Sequence, residues 1–340
     1  MEYPELIQAS EEAQLFIQDA RHNAESLKVF PYEHFVEFQA AVLGGTGIDL
    51  QGEAQQSTDL QKVADHIKME PFWITVNHDP AIHPMGRVLS ARLFYSKERD
   101  IWFLAGLIGK YDASRLPGLS ASLGAQESIP AAEGFEGDEA YVCFNSFEFP
   151  ETGVRELISD APECVSNKIY DERRKSGIVI VTLLSLIVPA AFLEGFNKKV
   201  GEAAGDKFVE LMSWLAKKGI KKIRKFSEEA KILTEFYIGP CKVQFLINSG
   251  SEAIQIEAAE AIPENVQGAR VVVAQLLVHD PERLVLEYDE ERKKWVPLYA
   301  VTKRAGVITD RPYLTIIYAQ GLSLASRAST PRELAQDNQN

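Results

Sequence analysis

Apolar positions recur at helical spacing over residues 4–42: Leu6, Leu15 and Phe16, then Phe35, Val36, Phe38 and Val42, with an interruption near Pro31. The spacing predicts N-terminal helices over 1–45. The period ends at Gly44-Gly45-Thr46-Gly47, a run that breaks regular structure. From 46 to about 155 the pattern alternates and predicts a β-rich domain. Its strands are expected at 48–54, 72–77, 88–95, 101–107 and 140–149, the third and fourth joined as a hairpin across Ser96-Lys97-Glu98-Arg99-Asp100. Pro80, Pro84, Pro117, Pro130 and Pro150 fall where strands should stop.

The middle of the chain differs. After a polar connection with a short helix at 151–175, residues 177–196 carry no charge until Glu194 and contain Pro189. This run is at the lower limit for a membrane span. Residues 206–226 then place Phe208, Leu211, Met212, Leu215, Ile223 and Phe226 near one helical face. The segment 165–228 is therefore expected as an apolar helix followed by a basic amphipathic one. Beyond it, 229–325 alternates strand and helix signals: strands at 231–238 and 241–248 around Gly239-Pro240, a helix at 251–261, a hairpin of 283–288 with 295–302, and a last strand at 313–319. Residues 326–340 read as a polar tail. The fold class expected is α+β: a β-rich N-terminal domain, a central apolar and basic helical segment, and a C-terminal α/β domain.

A length of 340 residues agrees with more than one domain. The net charge of −13 argues against nucleic acid as a partner. The average hides a contrast, because residues 168–226 hold thirteen Lys and Arg against six Asp and Glu, leaving about −20 on the rest. Cys143, Cys164 and Cys241 are odd in number and widely spaced, so buried free thiols are expected rather than disulfides or a zinc site. No metal and no cofactor is expected. Gly44–Gly47 lacks the Gly-Lys-Ser/Thr of a phosphate loop, and His279-Asp280 lacks ligand spacing. The N-terminus has no basic stretch before an apolar run, so a cytoplasmic location is expected.

One residue order suggests chemistry. Ile48-Asp49-Leu50-Gln51-Gly52-Glu53-Ala54 precedes His78-Asp79-Pro80, which precedes Gly86-Arg87-Val88, and Ser120-Ala121-Ser122-Leu123-Gly124 follows. A serine hydroxyl needs a base to take its proton, and histidine is that base near neutral pH. Over about residues 46–152 this order resembles the caudovirus prohead (capsid-maturation) serine proteases, relatives of the herpesvirus assemblins. The resemblance implies His78 as base and Ser122 as nucleophile, with Leu123 and Gly124 at the oxyanion site. The family's third member, Glu or His, falls near Phe144 or Asn145. Asn145 is the residue there able to orient a histidine, and Glu139 lies close in sequence.

Two functions follow as expectations. One is a serine endopeptidase cleaving a protein partner or itself. The other is an inactive protease-like scaffold, an effector or a phage-type assembly protein, that binds a partner or an anionic membrane through 177–226. In that reading the contacts are Lys217, Lys218, Lys221, Lys222, Arg224 and Lys225. The same segment also fits a helix docked against acidic parts of its own chain. A homo-oligomer is a further expectation.

Overall fold

In the computed structural model of the protein, the described residues are 4–28, 34–46, 57–75, 79–112, 139–144, 149–171, 183–189, 191–194, 202–228 and 230–329. The fold is α+β, as the sequence pattern implies. Two compact units interleave along the chain. The first takes 1–117, 174–180 and 303–309, and the second takes 118–173, 181–302 and 310–340.

The first unit contains helices α1 (Glu5–Gln8), α2 (Glu11–His22) and α3 (Ser57–Met69), with strands β1 (Phe35–Gly45), β2 (Phe72–Ile74), β3 (Gly86–Ser96) and β4 (Ile101–Tyr111). The strands pair antiparallel in the order β1-β4-β3-β2. Alternation along a strand sends neighbours to opposite faces. Phe94 and Phe103 accordingly join Ile7 and Ile17 in one core, while Val88 and Leu104 join Ala64 and Ile67 of α3 in another. Ser10 starts α2 by accepting a hydrogen bond from the Ala13 amide at 3.3 Å. Only glycine fits at 86, because a Cβ there would come within 2.0 Å of the Gly109 carbonyl oxygen.

The second unit begins with β5 (Ala140–Phe144), α4 (Glu151–Ile158), β6 (Val165–Asp171), β7 (Leu183–Ile187) and α5 (Ala191–Glu194). A long helix follows, α6 (Glu202–Trp214), a π turn (Leu215–Gly219) and α7 (Ile220–Arg224). Then come β8 (Lys231–Ile238), β9 (Cys241–Ile247), α8 (Glu252–Leu276), β10 (Pro281–Asp289), β11 (Lys294–Thr302) and α9 (Arg311–Ser329). The strands stand in the order β11-β10-β9-β8-β7-β5-β6. Hairpins join β8 to β9 and β10 to β11, and α8 is the crossover between the parallel strands β9 and β10. Phe236, Phe245 and Trp295 pack ring to ring at the centre, with the Trp295 indole donating to the Ala258 carbonyl at 3.1 Å.

Several expectations are corrected. Residues 35–45 are strand, not helix: the apparent helical spacing crosses Pro31 and joins positions of two different elements, and Phe35–Gly45 pairs with β4. The β-rich segment contains helix α3, and the expected strand at 48–54 lies outside the described residues. The domain expected over 46–155 is divided, because β5 pairs with β6 and β7 in the second unit. The apolar stretch 177–196 is not one helix. Leu183–Ile187 is an inner strand between β5 and β8, which explains a run apolar on both faces. Helix α8 continues through Pro263 to Leu276 rather than stopping near 261, and 313–319 is part of α9, not strand. Leu314, Ile317, Tyr318 and Gly321 are its buried positions, a helical spacing that an apolar run this short conceals.

Candidate functional site

The α6–π–α7 helix carries the most distinctive charge in the chain. Its inner side buries Phe208, Leu211, Met212, Leu215, Ala216, Ile220 and Ile223. At roughly 1.5–3 kcal/mol for each large apolar side chain, this burial holds the helix in place. Phe208 meets Phe236 edge to face at 5.9 Å.

The six cations expected at this surface divide into two groups. Lys222 donates to the Glu156 carbonyl and to Asp160 Oδ1, both at 2.8 Å, and Lys218 lies 3.7 Å from Asp160 Oδ2. The Trp214 indole also donates to Asp160, at 3.4 Å. The Lys222 hydrogen bond is the main reason the Asp160 carboxyl is held below its ordinary value, with Trp214 adding to it and partial burial opposing. Arg224 donates to the carbonyls of Glu228 and Gly250 at 2.9 Å, lies 3.5 Å from Gln255 Oε1, and pairs with Glu252 at 3.9 Å. Lys222 and Arg224 therefore fasten the helix to α4 and to the start of α8. Phe226 closes the same seam, its ring lying where a Cβ on Gly153 would be.

Lys217, Lys221 and Lys225 remain. All three are exposed, and none makes an ion pair or hydrogen bond among the described residues. Favourable interaction with helix C-terminal carbonyls accounts for cations in the last turn. Lys217 lies too far back for that. From Lys217 to Lys225 is eight residue steps, about 12 Å at the helical rise.

Of the residues expected for hydrolysis, His78, Ser122, Leu123, Gly124 and Asn145 lie outside the described residues. Glu139 is exposed at the turn before β5. Asp79, next to the expected base, accepts from the Ala81 amide at 2.9 Å while its carbonyl accepts from Ile82, so the Asp-Pro corner is a capped turn. Gly86-Arg87-Val88 is strand as expected, with Arg87 buried and donating to the Leu27 carbonyl at 2.7 Å.

The three cysteines are free and buried. Burial pushes the Cys164 and Cys241 thiols up, the opposite of activation. Among the described residues no group of three or more His, Cys, Asp or Glu could hold a metal ion. No helix among them is long and apolar enough to cross a membrane. Sequence reasoning missed Asp160 and Gln255, whose partners are remote in the chain. Neither a protein-family model nor a curated protein nor a solved structure matches the chain.

Proposed function

We propose that the protein is a docking protein that engages an acidic surface on a protein partner through Lys217, Lys221 and Lys225. One observation carries this reading: three exposed lysines that make no ion pair among the described residues stand four residues apart along a helix and its C-cap, while the neighbouring cations Lys222 and Arg224 are spent on anchoring that helix. A protein suits this surface better than a bilayer. Within the apolar stretch that would insert, Leu184, Leu186, Phe192 and Leu193 are each at most 2% exposed and so committed inside the fold. Exposed ion pairs contribute about 0.2–1 kcal/mol each, so the row supplies steering and selectivity more than tight binding.

The test is a titration of the full chain with short poly-L-glutamate and, separately, with vesicles containing anionic lipid, at low and raised salt. Charge reversal at Lys217, Lys221 and Lys225 should weaken polyglutamate binding at least about tenfold. Matched reversal of Lys62, Lys68 and Lys97 should not. Equal loss in both variants, or binding to vesicles alone, overturns the reading. The peptidase expectation rests on His78 and Ser122. A fluorophosphonate that labels Ser122 in a His78-dependent way would replace docking with hydrolysis as the leading activity.

A further inference from the structure

We infer that the partner is a second copy of this chain, docked through the same α6–π–α7 helix running antiparallel to itself. The inference rests on the docking reading and names its partner. Along the outer side of the helix the charge changes sign at the middle. Asp206 and Glu210 are exposed on the N-terminal half, and Lys217, Lys221 and Lys225 on the C-terminal half. Like the lysines, the two acids make no ion pair or hydrogen bond among the described residues. The charges are related in pairs about one point. Glu210 with Lys217, and Asp206 with Lys221, are each centred between Ser213 and Trp214, and in sequence Glu202 stands in the same relation to Lys225. At the helical rise, the inner pair lies about 5 Å either side of that point and the outer pair about 11 Å. A two-fold axis there sets each acid against a lysine of the second copy, which is the self-complementarity that an isologous interface requires.

This order is not the one that stabilises a single helix. Side chains pair along a helix at three or four residues, and Glu210 and Lys217 are seven apart. At four residues Asp206 meets Glu210 and Lys221 meets Lys225, both like-charge pairs that oppose an isolated helix. The macrodipole favours acids in the first turn and cations in the last, but Glu210 and Lys217 lie inside those turns. The surface at the midpoint suits the approach of a second helix. Ser213 there is small and half-buried, and Val209, one turn before it, is 48% exposed. Buried Leu211, Met212, Leu215 and Ile220 hold the other side of the helix inside the fold, so the charged side stays outward.

The experiment is sedimentation equilibrium of the full chain. A dimer is expected that dissociates as salt rises from about 0.05 M to about 0.5 M. Asp206→Lys with Glu210→Lys, or Lys217→Glu with Lys221→Glu, leaves only like charges at the paired positions. Each double variant alone should self-associate at least about tenfold more weakly, and an equimolar mixture of the two should recover the dimer, because acid again faces base. All four substituted residues are exposed, and circular dichroism of each variant checks its folding. A monomeric native chain, a dimer that neither variant weakens, or a mixture that stays monomeric overturns the inference. Polyglutamate separates it from the docking reading. A native chain that stays monomeric yet binds polyglutamate through its lysines loses the second copy and keeps docking, whereas a monomer that binds no polyglutamate loses both.

Discussion

Lys222 reaches Asp160 across 62 residues of sequence and meets its Oδ1 at 2.8 Å, joining the basic helix to the end of α4. The contact decides how the middle segment is read. A stretch whose charge suggested an outward-facing basic helix is instead half anchor and half free row. Lys222 keeps 19% of its side chain exposed and Asp160 keeps 39%. That exposure screens the pair, so its contribution stays within about 1 kcal/mol.

The pair makes a signed prediction about pH. The carboxyl of Asp160 is held below its ordinary value in the folded chain, chiefly by the Lys222 hydrogen bond. Such a group adds stability above its unfolded pKa, and the addition is lost as pH falls through the folded pKa. Urea midpoints of the native protein should therefore fall on acidification below the ordinary aspartate range. Asp160→Asn should lower the midpoint near neutral pH and flatten that part of the acid dependence. An unchanged slope in the variant would remove Asp160 from the account.

Two glycines make a second prediction whose sign is unusual. Alanine in place of a helix-interior glycine usually stabilises by about 1 kcal/mol. At Gly321 of α9 a Cβ would sit 2.9 Å from the Cα of Gly268 and 2.9 Å from the Val271 Cβ. At Gly268 of α8 it would sit 2.6 Å from the Tyr318 ring, whose hydroxyl donates to Asn265 Oδ1 at 2.6 Å. Neither neighbour can move freely, so Gly321→Ala and Gly268→Ala should each destabilise by about 1–3 kcal/mol. Gly250→Ala, with nothing within 4 Å of its Cβ, should change stability by less than about 0.5 kcal/mol. Thermal melts of the three variants distinguish these cases.

Local pattern and tertiary contact contribute differently to what sequence could reveal. The β3–β4 hairpin, the β10–β11 hairpin and the basic helix were legible, because each is specified by its own periodicity and turn. The 183–187 strand was not, since an apolar run buried on both faces has no period to read. Nor was α9, where Tyr313, Leu314, Ile316, Ile317 and Tyr318 fit strand and helix alike until their packing against α8 decides. At the candidate site, the six cations were visible by composition alone. Which of them are free depended on Asp160, Glu156, Gly250 and Gln255, groups that no spacing rule connects to residues 217–225.

A third prediction concerns how the first unit is completed. Strand β12 (Gly306–Ile308) lies in sequence between β11 and α9 of the second unit, yet Val307 is 1% exposed in the first unit's core with Ile17, Phe94 and Phe103. Lys303 in the same segment lies 3.4 Å from Glu70. Val307→Ala leaves a cavity in that core and should cost about 2 kcal/mol. Hydrogen exchange should then accelerate first in the amides of α2, β3 and β4. Acceleration confined to α8 and α9 would show that Val307 supports the second unit instead.

The thiols allow a last test, of the native packing itself. Cys143, Cys164 and Cys241 are at most 7% exposed, and burial pushes the Cys164 and Cys241 thiols up, so little thiolate exists near neutral pH. Reaction with an aromatic disulfide reagent needs both access and thiolate. The folded protein should therefore react slowly at all three positions, and denaturant should release three fast equivalents. Cys241, the first residue of β9 and paired with Ile238 of β8, is 0% exposed and should open last, at a rate set by unfolding of the second unit rather than by local fluctuation. A Gly321→Ala variant that weakens α8–α9 packing should speed that reaction in proportion to its loss of stability, which links the glycine prediction to an independent observable. Fast reaction of any one thiol in the unperturbed protein would mean that its burial is transient.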